Sequence, residues 1–134
     1  MSRERRILFV CLHGAAKSVL AAADCERLAA ARGLTVTTDF FGTEPDPDIA
    51  PAVAAALRTD GVDLDGRRPR RITASDVAGA DQVVAFGCDL GDATPPGTRI
   101  EQWPDVPAVS DGLPAARAAI RARLERPMDS WSPR

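Results

Sequence analysis

From Ile7 to Cys11 the side chains are apolar without a break, the pattern of a strand buried on both faces. A turn containing Gly14 follows. Residues 18–32, rich in Ala and Leu, predict a helix that stops at Gly33, a residue suited to the C-terminal cap. Residues 35–42 are β-branched and aromatic, a second strand. Asp48 is expected to cap a helix whose apolar face carries Ile49, Val53 and Leu57 and which ends at Gly61. Thr73 and Asp76 have the spacing of a capping box for a short helix. Residues 82–87 give a third strand ending just before Cys88, and residues 98–103 a short fourth. Leu113, Ala116, Ile120 and Leu124 then recur at helical spacing.

Strands alternating with helices imply an α/β fold: a four-stranded parallel sheet with right-handed crossovers and helices on both faces. There is no internal repeat, and the proline-containing stretches at 45–47 and 95–96 are loops between elements. The expected organisation is one domain over residues 1–134, with 126–134 as an irregular tail. At 45% hydrophobic and 27% charged residues the composition is that of a soluble globular chain. A net charge of -2 provides no basic field for nucleic acid. The apolar run at 7–12 is too short for a secretory signal core or a membrane span, so the expected location is the cytoplasm, without membrane association.

The three cysteines, Cys11, Cys25 and Cys88, do not form a disulfide framework or a zinc-binding spacing. With His13 as the one histidine, no metal site is expected. Cys25 shares an apolar helix face with Ala21 and Leu28 and is expected in the core. The segment Cys11-Leu12-His13-Gly14-Ala15-Ala16-Lys17-Ser18 joins the first strand to the first helix. Backbone N–H groups in such a turn cradle an oxyanion, and the helix N-terminus adds partial positive charge. The same field stabilises a thiolate, which makes Cys11 a candidate nucleophile. Ser18 is placed to donate a hydrogen bond to it, and Lys17 sets a cation beside the anion. Two alternatives stay open: Cys11 as a buried strand end, and His13 either paired with the thiolate or pointing out of the loop.

This loop resembles that of the low-molecular-weight protein tyrosine phosphatases and their relatives, the thioredoxin-coupled arsenate reductases. Their loop is a Cys, five residues, an Arg, then Ser or Thr. Cys11 and Ser18 match, while Lys17 stands in the arginine position. Gly42-Thr43, the Gly61-Val-Asp-Leu64 segment with the basic stretch 70–76, and Ala80-Asp-Gln-Val-Val84 extend the resemblance over residues 6–125. It implies the fold of that family, a catalytic Cys11, and the backbone from Leu12 to Ser18 as the oxyanion cradle. It also implies Cys88 as a resolving cysteine and Asp105 as the general acid, with Asp111 a poorer alternative. Asp105 lies one position early, because Val106 is the residue before Pro107. Thr94 stands near where the family's third redox cysteine would be.

A lysine is a point charge and cannot grip two oxygens as a guanidinium fork does. With no tyrosine in the chain, an aromatic wall for phosphotyrosine is not evident. The balance favours an arsenate-reductase-like thiol enzyme acting on arsenate, phosphate or a phosphomonoester. It would bind no cofactor and would draw on thioredoxin or a small thiol as external reductant. The alternatives are a low-molecular-weight phosphatase and a catalytically silent oxyanion binder. The cluster Arg67, Arg68, Arg70 and Arg71 is either a solvated face or a steering patch.

Overall fold

The computed structural model describes residues 5–130. Its strands are β1 (Arg5–Cys11), β2 (Val36–Gly42), β3 (Gln82–Ala85) and β4 (Ile100–Gln102). Its helices are α1 (Lys17–Ala31), α2 (Pro51–Thr59), α3 (Ala74–Ala78) and α4 (Leu113–Ser130), with short 3-10 turns at Gly91–Ala93 and Val109–Asp111. The strands form one parallel sheet in the order β2-β1-β3-β4. Cys11, the last residue of the inner strand β1, lies level with Gly42, the last of β2.

Alternation along β1 sorts its side chains between two cores. Ile7, Phe9 and Cys11 join residues of α1, α2 and α4 on one face. Leu8 and Val10 join Ile72, Val77, Leu90 and Ala93 on the other, the face covered by α3. The β1 residues from Ile7 to Cys11 are all buried, as an unbroken apolar run predicts for a central strand. The Thr73 hydroxyl and the Asp76 carboxylate form the expected capping box at α3.

Three expectations change. Asp48 does not cap α2: Ala50 holds that position in extended conformation and Pro51 begins the helix, where a missing N–H is harmless. The third strand stops at Ala85, because Gly87 turns to φ 78°. Residues 126–130 are not an irregular tail: α4 runs through Pro127 to Ser130. Leu124 and Met128, one turn apart, are both buried against the sheet, and that burial outweighs the hydrogen bond lost at the proline. Residues 131–134 lie outside the described residues. Among the described residues no helix is long and apolar enough to cross a membrane.

The helices on the Cys11 face are tied by a buried carboxylate. Asp24 of α1 is 1% exposed. Arg117 of α4 grips it with a two-pronged pair of bonds at 3.0 and 2.8 Å, and Arg121 donates at 3.2 Å. Arg117 also pairs with Asp60, which follows α2, and Arg27 reaches the same carboxylate at 3.1 Å. Removing one partner strands buried charge, so Asp24→Ala should lower stability by about 3–5 kcal/mol in urea unfolding. The bond from Arg117 lowers the pKa of Asp60 below its ordinary 3.8. That contribution is complete above the unfolded value and is lost as pH falls through the lower folded one. Below about pH 4 the parent should therefore lose stability more steeply than Asp60→Asn.

Candidate active site

The loop between β1 and α1 is shaped by where its carbonyls go. The Cys11 carbonyl accepts from Thr43 N–H at 3.3 Å, Leu12 from Glu44 at 2.7 Å, His13 from Asp46 at 3.0 Å and Ala15 from Ala50 at 2.9 Å. One face of the loop is thus hydrogen-bonded to the segment joining β2 to α2. Among the described residues, the N–H groups from His13 to Ala16 have no backbone acceptor. Ala16 at the N-cap of α1 provides no side-chain cap, so the first-turn amides are also left for a ligand. Unpaired amides at a helix N-terminus are the physical basis of an anion site.

Two glycines allow this close stacking. Gly14 has φ 62°, and a Cβ there would meet Gly42 N at 2.7 Å. A Cβ on Gly42 would meet Gly14 N at 2.7 Å and His13 C at 2.8 Å. The end of β2 and the loop are in backbone contact, which explains the glycine at 42, and the Thr43 hydroxyl adds a bond to the Leu12 carbonyl at 3.5 Å.

Cys11 Sγ lies 3.0 Å from Ser18 Oγ, with the two residues 8% and 0% exposed. A thiolate only accepts, so in the reactive form Ser18 donates to it. Lys17 is the first residue of α1, half-buried, and among the described residues it has no carboxylate partner. His13 turns away from the thiol: its Nδ1 is 3.2 Å from the Glu44 carbonyl and 3.4 Å from Asp46 Oδ1. Of its two readings the outward one holds. Leu12 is exposed at the rim of the loop.

Cys25 is fully buried in the core, and burial pushes its thiol up to about 12, which makes it inert. Cys88 is half-buried at the same edge of the sheet as Cys11, and its S–H donates to the carbonyl of Val10 at 3.6 Å. Burial raises its pKa, and the neighbouring Cys11 thiolate adds to that. The two thiols lie on different faces, however: Cys11 in the α1 core and Cys88 against the α3 core. Cys88 lines an open cleft of about 780 Å³ beside the loop, together with Leu12, Thr43, Glu44, Arg71 and Asp89.

The structure does not bring Asp105 to the loop. Its carboxylate is ion-paired with Arg123 of α4 and lines a groove between β4 and α4 that shares no residue with the loop. A chain position near a proline predicted its role, whereas the structure pairs the exposed carboxylate with Arg123. The basic cluster is likewise divided. Arg67 and Arg70 pair with Asp39 and stack over Phe40 and Phe41 at 4.6 and 4.7 Å, whereas Arg71 faces the cleft. Sequence reasoning missed Gln102, whose carboxamide bonds to the backbone of Gly87 and Cys88; an exposed glutamine in a short strand carries no signal for this. Among the described residues no three His, Cys, Asp or Glu side chains converge as a metal site would require.

A family model described as low molecular weight phosphotyrosine protein phosphatase matches residues 6–97. The chain belongs to this family, whose members are phosphatases and arsenate reductases, and is an enzyme of one of those two kinds. A putative arsenate reductase of Halobacterium salinarum is 26% identical over 97 residues, 71% of this chain and 68% of that protein. YfkJ from Bacillus subtilis has the same fold, with TM-score 0.80 at 21% identity over 96% of this chain and 94% of that one. The thioredoxin-dependent arsenate reductase Cg_ArsC1' of Corynebacterium glutamicum superposes with TM-score 0.76 at 25% identity, over 97% of this chain and 63% of that one.

An anion held by the loop amides covers Cys11. Phosphate, which binds without oxidising a thiol, should therefore protect Cys11, and not Cys88, from iodoacetamide in the parent. Gly42→Ala should abolish that protection while the far-UV circular dichroism is retained. Equal protection in both proteins would mean that the stacked loop is not what holds the anion.

Proposed function

We propose that the protein is an arsenate-reductase-like thiol enzyme that uses Cys11 and Cys88 in sequence. The observation that carries this reading is the position of Cys88, at the same sheet edge as Cys11 and bonded to the carbonyl of the residue before it. The thiolate of Cys11 attacks the arsenic of arsenate, and an As–O bond breaks as that hydroxyl takes a proton from solvent and leaves as water. The adduct's remaining oxygens lie against the loop amides from Leu12 to Ser18, with Lys17 supplying charge. Cys88, as thiolate, then attacks Cys11 Sγ. The S–As bond breaks with its electron pair staying on arsenic, so As(V) becomes As(III) while two thiols become a disulfide. Thioredoxin or a small thiol would return the disulfide to thiols by exchange.

Release of arsenite from the adduct needs no strong general acid, since the electron pair of the broken S–As bond stays on arsenic. That suits a site in which Asp105 is bound to Arg123. A phosphomonoester makes the opposite demand, because its leaving oxygen needs a proton. Lys17 weakens phosphate chemistry further. An arginine fork stabilises two oxygens of the transition state, and one missing preorganised contact costs about 10²–10³ in rate.

Arsenate under anaerobic conditions should therefore yield a Cys11–Cys88 disulfide in peptide mass maps, and Cys88→Ser should yield none. Rapid hydrolysis of an aryl phosphate, unaffected by Cys88→Ser and with no arsenate-driven disulfide, would establish a phosphatase instead. Neither activity, with phosphate still protecting Cys11, would establish an oxyanion binder. Lys17→Arg should raise aryl phosphate hydrolysis by about ten-fold or more. Lys17→Ala should weaken phosphate binding, measured by protection of Cys11.

A further inference from the structure

The two thiols sit on opposite faces of the sheet, so a disulfide requires one of them to cross its edge. Cys11 is fixed at the end of a central strand and bonded to Ser18. Cys88 is the one placed to move, and the segment carrying it is bounded on both sides. Before it, Phe86 donates to the Val10 carbonyl at 2.9 Å and packs edge-on against Trp103 at 5.7 Å. After it, Leu90 and Ala93 are buried in the α3 core. Between Phe86 and Leu90 lie Gly87, Cys88 and Asp89, with Gly87 at φ 78°. Besides the weak S–H bond to Val10 and the bond from Gly91 N–H to the Asp89 carboxylate at 2.8 Å, the tie from this turn to β4 comes from Gln102. Its side-chain oxygen accepts from Gly87 N–H at 3.0 Å, and its nitrogen donates to the Cys88 carbonyl at 3.0 Å. One exposed carboxamide thus does for residues 87–88 what a further ladder pair would do, just where β3 and β4 stop pairing.

We propose that Gln102 is a positioning residue that latches Cys88 on the α3 face, and that release of this latch sets the rate at which Cys88 reaches Cys11. The proposal rests on the reading of Cys88 as the resolving thiol. With the latch closed, Cys88 remains partly buried with its S–H on a carbonyl, where burial disfavours the thiolate. With it open, residues 87–89 move about Gly87 while Leu90 stays packed, the thiol meets water, and it can attack across the edge. The latch therefore withholds the resolving sulfur until the segment opens.

Two readouts test this in the full chain. The first is the iodoacetamide labelling rate of Cys88, quantified by peptide mass in a Cys11→Ser background. Gln102→Ala should label about ten-fold faster than Gln102, the effect of losing hydrogen bonds of ordinary net strength. Gln102→Glu, which keeps the acceptor but has no donor for the Cys88 carbonyl, should also label faster. The urea midpoint should be the same in all three, which separates local opening from general loss of stability. The second readout, with Cys11 present, is the rate of Cys11–Cys88 disulfide formation by diamide, which takes up the two electrons and two protons from the thiols. Gln102→Ala should accelerate it by a similar factor. Equal labelling rates would overturn the latch and leave the resolving role of Cys88 intact. Faster labelling with no Cys11–Cys88 disulfide would overturn that role, and with it the function proposed for Gln102.

Discussion

The contact on which the site depends is the stacking of the anion loop against the end of β2. Four loop carbonyls accept from the segment after Gly42, and Gly14 and Gly42 approach too closely for any side chain between them. Once the carbonyls are committed to that side, the remaining amides face the other way, toward the thiol of Cys11 and the uncapped start of α1. The chemistry of Cys11 is therefore a consequence of backbone accounting as much as of the cysteine itself. The parallel pairing of β1 with β2 brings the two strand ends level, and it is required for this stacking.

The rest of the fold holds those strand ends in place. The buried Asp24 ties α1 to α4 through Arg117 and Arg121, and Asp60 extends the tie to the end of α2. α1 carries Ser18 on its first turn, so this ionic network steadies the helix whose uncapped N-terminus follows the Cys11 loop. On the opposite face, Ile72, Val77 and Leu90 pack under the turn that bears Cys88. The sheet thus separates Cys11, fixed at the end of a central strand, from Cys88 on the other face. On the proposed mechanism this separation would let the first sulfur react with the oxyanion before the second reaches it.

Much of this was legible in the sequence because it is local. The apolar run of β1, the Cys11–Ser18 turn, the capping box at Thr73 and the second thiol after β3 each show within a few residues. What was not legible depends on distant partners. Asp24 reads as one more charge on a helix until α4 brings Arg117 against it. Asp105 has the right neighbours in sequence, yet Arg123 draws it into another groove. Pro127 reads as a stop, but Met128 finds a buried place one turn beyond Leu124 and the helix continues. His13 stands beside the thiol in sequence and outside the loop in space, because Glu44 and Asp46 hold its ring there.

If two protein thiols supply both electrons for one oxyanion, the product of a single turnover can be counted against the thiols consumed. Reduced protein, mixed anaerobically with excess arsenate and no added thiol, should release one arsenite per chain as two thiols disappear. Cys11→Ser and Cys88→Ser should each release none. Arsenite from Cys88→Ser equal to that from the parent, or no arsenite from the parent, would contradict the account.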